Sequence, residues 1–136
     1  MKRRRTTTPP FSIPAEFEAL SRFIFSRDHY SRGRVKQNAF LPQKGKTGIS
    51  MFFIDQLSLD EVWGIGDFAG KNRGKLAIAR ADMQRKAVIN LPVKLEPTPK
   101  DHPRHIDIGG WPTEKDAQKA LALEFCAIST LALRSQ

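Results

Sequence analysis

The sequence predicts an α+β fold: a small, mostly antiparallel sheet packed against a long C-terminal helix, with a short helix after the central strand. Three stretches carry this reading. "GISMFFID", residues 48–55, is a continuous apolar run bounded by Gly48 and by the polar pair Asp55-Gln56, the pattern of a central buried strand. "RHIDIG", residues 104–109, alternates, setting Ile106 and Ile108 on one face and His105 and Asp107 on the other. Beyond Trp111-Pro112, the apolar positions from Ala117 to Leu133 cover most of a helical circumference.

Taken in order, residues 1–14, "MKRRRTTTPPFSIP", combine a basic run, a threonine run and three prolines, a composition that resists helix and sheet alike and predicts an extended arm. Residues 15–136 then form a single α+β domain, since a chain of 136 residues can bury one sizeable core but rarely two. Residues 20–26 read as a strand with Phe23 and Phe25 on one face, followed by a polar loop, "RDHYSRGRVKQ". After the central strand, Ser58 and Glu61 make an S-x-x-E capping box and Leu57 and Val62 a hydrophobic staple, so a helix should start near Leu59. Gly64 and Gly66 should stop it within two turns, because each glycine costs about 1 kcal/mol in a helix interior. "GKLAIARADM" (74–83) and "RKAVINLPVKLEP" (85–97) read as two strands, the second edged or bulged at Pro92. Thr113 is the expected N-cap of the terminal helix, about 20 residues long, with Glu114 and Asp116 favouring the positive end of its dipole.

Charge is concentrated at the front of the chain. Lys and Arg outnumber acids eleven to three in the first fifty residues and eight to six in the next fifty, while the last thirty-six carry four against five. A net charge of +9 so arranged suits a polyanionic partner. Cys126 is the single cysteine, which excludes an intrachain disulfide and reads as a buried, inert thiol in "ALALEFCAIST". No apolar stretch approaches the ~18 residues of a membrane span, and a soluble, cytoplasmic protein is expected.

The glycine patterns do not mark nucleotide sites. "GIGDFAG" (64–70) has the wrong spacing for a dinucleotide fingerprint and follows a helix, and "GKT" (45–47) lacks the glycine a phosphate loop needs, Phe40 standing in its place. No cofactor is therefore expected. A basic loop with aromatic interleaving is more informative: Arg22, Arg27, Arg32, Arg34, Lys36, Lys44 and Lys46 surround His29 and Tyr30. Arginine pairs bidentately with phosphate, and Tyr30 or His29 could stack on an exposed base. In "HPRHIDIGGWPTEKD" (102–116), His102, His105 and Asp107 match no closed tetrahedral metal pattern. His105 is the residue there that could act as a general acid or base, whereas Gly109, Gly110, Trp111 and Pro112 read as a rigid strand-to-helix corner.

These features predict a small basic binding module that contacts nucleic acid, DNA or RNA, or another phosphate-rich partner, through Arg22, Arg27, His29, Tyr30, Arg32, Arg34 and Lys36. Two further readings follow from the same residues. One is a small transferase or hydrolase acting on a nucleotide or nucleic acid, with His105 as acid/base and Arg22 or Arg104 on a phosphate. The other is a subunit of an assembly whose basic front docks on an acidic protein while "GIGDFAG" supplies a mobile loop.

Overall fold

The computed structural model describes residues 13–135; most of the predicted arm, residues 1–12, lies outside them. Eight strands follow in the order β1 (Ala19–Ile24), β2 (Tyr30–Ser31), β3 (Arg34–Val35), β4 (Ile49–Phe53), β5 (Ala79–Gln84), β6 (Lys94–Pro97), β7 (His105–Gly109) and β8 (Thr130–Leu133). Helix α1 (Leu59–Gly70) lies between β4 and β5, the single turn α2 (Arg85–Val88) between β5 and β6, and α3 (Lys115–Ile128) between β7 and β8. Six strands form one sheet in the order β6-β7-β4-β1-β5-β8, every neighbouring pair antiparallel, and β2 and β3 make a separate hairpin. The fold is thus the α+β arrangement the sequence predicts.

Period-two alternation gives this sheet two different faces. Leu20 and Ile24, Ile49, Met51 and Phe53, Ala79 and Ala81, and Ile106 and Ile108 pack together with Leu121, Ala122 and Phe125 of α3 as the main core. Three rings stack through it: Phe40 on Phe125 at 5.4 Å, and Trp111 on Phe125 at 5.4 Å and nearly parallel. The opposite face carries Phe23 and Phe52, which meet Val62, Trp63 and Ile65 of α1 in a second cluster. Asp67 of α1 grips Arg134, just past β8, with Oδ1 to Nη1 at 2.7 Å and Oδ2 to Nη2 at 3.0 Å, pinning the helix to the far edge of the sheet.

Several sequence expectations are corrected. The capping box at Ser58 and Glu61 forms as read, but α1 runs twelve residues, through both glycines. Gly66 is there for proximity: a Cβ would lie 2.6 Å from Phe23 and 2.8 Å from Ala77, so its bareness lets the helix settle on the sheet. "GIGDFAG" is accordingly helix and not a mobile loop. The stretch 85–97 is not one strand; α2 drops Val88 into the core, and pairing resumes only at Lys94, beyond Pro92, which has no N–H to give a ladder. The strand expected over 74–83 begins at Ala79. The terminal helix has fourteen residues, starts at Glu114 as N-cap in place of Thr113, and ends at Ile128. Ser129 is extended, its hydroxyl caps the Cys126 carbonyl at 3.0 Å, and the next four residues pair with the outer edge of β5, a vacancy that apolar periodicity does not announce. The "RDHYSRGRVKQ" loop is a 3-10 turn followed by the β2–β3 hairpin, with Arg32 and Gly33 at φ +49° and +77°, the left-handed conformation a two-residue hairpin turn requires.

Candidate functional site

The most distinctive local feature is a fork in the sheet. β1 pairs with β5 over six residues but with β4 only at Leu20↔Phe53 and Ser21↔Phe52. Past Ser21 the strands part, and Arg22 holds the fork: its Nε donates to the Ala39 carbonyl at 3.0 Å and its Nη1 to the Ser50 carbonyl at 2.9 Å. Arg22 is half-buried, and desolvation, with the nearby Arg73 cation, pushes its pKa down to about 10, so it is still a cation at neutral pH. Among the described residues no carboxylate lies within 4.0 Å of it, and its Nη2 has no hydrogen-bond partner.

Over the fork lies a groove of about 600 Å³. Its floor is the part of the sheet running out from beside α1, with Ser50 and Phe52 of β4, His105 and Asp107 of β7 and Glu96 of β6. Its walls are the end of α1 and the following 3-10 turn, which bring Phe68, Lys71 and Arg73, and the loop before β4, which brings Lys46. His29 feels the positive charges of Arg22, Arg73 and Lys75, which add to burial in pushing its pKa down.

His105 sits on this floor, almost fully buried, with its ring edge-on to Phe52 at 5.0 Å. Its Nδ1 bonds the Thr98 hydroxyl and lies 3.6 Å from Asp101; Nε2 lies 4.0 Å from Asp107. Burial outweighs both carboxylates and lowers its pKa, which keeps the imidazole neutral at pH 7. His102 packs its ring between Phe52 and Phe68, and its Nδ1 accepts from the Arg104 backbone N–H at 3.1 Å. Among the described residues no group of three His, Cys, Asp or Glu side chains could hold a metal ion.

The candidate residues read from sequence divide between places. Arg22 and His105 line the groove. Arg32, Arg34 and Lys36 stand exposed on the hairpin, beside a separate shallow depression against the end of α3. Arg27 is exposed on the preceding turn, His29 is half-buried, and Tyr30 packs its ring against the main core and pairs with Val35. Arg104 is committed elsewhere, donating to the Asp55 carbonyl at 2.7 Å with its guanidinium 4.6 Å above the Phe17 ring. Sequence reading passed over Lys71, Arg73, Glu96 and Ser50. The basic string "KNRGK" (71–75) behind a helix and the polar alternates within the strands were the signals available. Burial pushes the Cys126 thiol up, in keeping with an unreactive cysteine, although the residue is only half-buried. No helix among the described residues is long and apolar enough to cross a membrane. No family model, curated protein or solved structure matches the chain.

Proposed function

We propose that this domain binds a phosphate-bearing partner, a nucleic acid or a nucleotide, with a phosphate seated at the fork on Arg22 and flanked by Lys46, Lys71 and Arg73. One observation carries the reading: a partly buried guanidinium that keeps its charge, has no carboxylate beside it among the described residues, and leaves one nitrogen unbonded in a groove lined by other cations. A partly desolvated charge without a counter-ion carries a cost, and a bound anion lowers it. Phosphate suits the planar donor fork and the cationic walls better than a single neutral acceptor would.

The test is fluorescence anisotropy of labelled single-stranded and duplex DNA and RNA at about 50 and 200 mM salt, the range over which phosphate contacts lose affinity steeply. Lys71→Ala/Arg73→Ala, two exposed positions, should weaken binding and flatten the log–log salt slope by about 1.5, at ~0.7–0.9 per lost phosphate contact. Affinity that ignores both salt and the double substitution sinks the proposal. A small transferase or hydrolase is the second reading, favoured by the presence of His105 and Arg22 in one groove. His105→Gln should then leave ligand affinity intact and abolish turnover of a phosphate ester; a wild-type protein that binds and never turns over retires it.

A further inference from the structure

The groove is electrostatically two-ended, and its polarity says what kind of phosphate compound fits. Register places Ser50 opposite Asp107, and Asp107 opposite Glu96, so these three side chains form a row across β4, β7 and β6 on the groove floor. The row starts at the fork, because Ser50 is the residue whose carbonyl Arg22 holds. Neighbouring strands lie about 4.8 Å apart, which puts Asp107 about 5 Å and Glu96 about 10 Å across the sheet from Ser50. Asp101 lines the groove as well. Cations therefore gather at the fork and carboxylates across the floor. A polyphosphate chain laid along the whole groove would bring its charges against three carboxylates. A compound with one phosphate at the fork and hydrogen-bond donors one or two strand spacings away would satisfy both ends.

Resting on the phosphate reading above, we propose that the groove takes a phosphate monoester of a sugar with vicinal hydroxyls, as in a ribonucleotide or a pentose phosphate. The phosphate sits on Arg22, Lys71 and Arg73, and the hydroxyls donate to Asp107 and Glu96. Carboxylates are acceptors only, and each can take two donors, which is what a vicinal diol offers.

Isothermal titration of the full chain with AMP, dAMP, ribose 5-phosphate, 2-deoxyribose 5-phosphate and inorganic phosphate tests this. Each ribo compound should bind about tenfold tighter than its deoxy counterpart, the worth of one charge-assisted hydrogen bond. Asp107→Asn/Glu96→Gln should erase that preference while leaving the deoxy compounds bound. Binding by ribose 5-phosphate as tightly as AMP would assign recognition to the sugar, and tighter binding by AMP would add the base; both support the site. Equal affinity for ribo and deoxy compounds overturns this inference and leaves the phosphate reading standing. So does a double variant that binds long single strands more tightly than the wild type, because the strand would then be running over the carboxylates. Failure of every compound to bind, inorganic phosphate included, overturns this inference, and the nucleic-acid anisotropy then decides the phosphate reading.

Discussion

Trp111 shows how a buried residue can be needed for its surface and not for its polar atom. It is 4% exposed and stacks on Phe125, yet its indole N–H has no hydrogen-bond partner among the described residues. Trp111→Phe should therefore cost less than about 1.5 kcal/mol, since it keeps an aromatic face and removes an unpaired donor. Trp111→Ala should cost about 3–5 kcal/mol, the range for emptying an aromatic site. Urea unfolding midpoints compare the two; a Phe variant as damaged as the Ala variant would mean that the indole nitrogen matters. His105 on the groove floor and the neighbouring His102 make a pH prediction. Burial lowers the folded-state pKa of His102 and His105 below the ordinary 6.5, so the unfolded chain takes up their protons first as pH falls. Stability should then decline from about pH 6.5 downward, until the folded-state values are passed. Gln at both positions should flatten that part of a stability-against-pH curve; an unchanged slope would assign it to other groups.

Among the elements, α1 separates two uses of glycine that look alike in sequence. Gly64 has nothing within 4 Å of a would-be Cβ, while Gly66 has Phe23 and Ala77 at 2.6 and 2.8 Å. Gly64→Ala should stabilise by about 0.4–1 kcal/mol through the unfolded chain's lost freedom. Gly66→Ala should destabilise by about 1–3 kcal/mol, because helix or sheet must move aside. Thermal melts of the two variants shifting in the same direction would refute this distinction. The pair also marks where sequence stops being informative. The capping box at Ser58 and Glu61 and the alternation around Ile106 and Ile108 are local, and both were legible. The length of α1 was not, since it depends on which residue faces Phe23 across the sheet. The end of α3 was hidden for a similar reason: Thr130 to Leu133 are apolar enough to continue a helix, and only the open edge of β5 turns them into a strand. His105 was legible as a candidate because its neighbours in sequence are also its neighbours in space. The rest of the groove was not, because Arg22, Arg73 and Glu96 meet only through the strand order.

At the scale of the whole molecule, the six-stranded sheet is two three-stranded leaves. β6, β7 and β4 make one, and β1, β5 and β8 the other. Between them run two ladder pairs, the hydrogen bond from Ile54 N–H to the Ala19 carbonyl, the Asp55 carboxylate accepting from the Glu18 and Ala19 N–H groups, and the Arg22 clamp. These bonds gather at one end, and past Ser21 the Arg22 clamp is the one hydrogen-bonded link across the seam among the described residues, so that end should open at a lower free energy than either leaf. Hydrogen exchange should find the amides around Phe23, Ile24 and Ser50 less protected than those in the middle of β5. Saturating phosphate should raise protection along the seam first; uniform protection with and without phosphate would mean the leaves move as one. The guanidinium that holds the fork open is thus also a hinge pin, and a domain built this way would report occupancy of its groove as stiffness, with no need for its parts to change place.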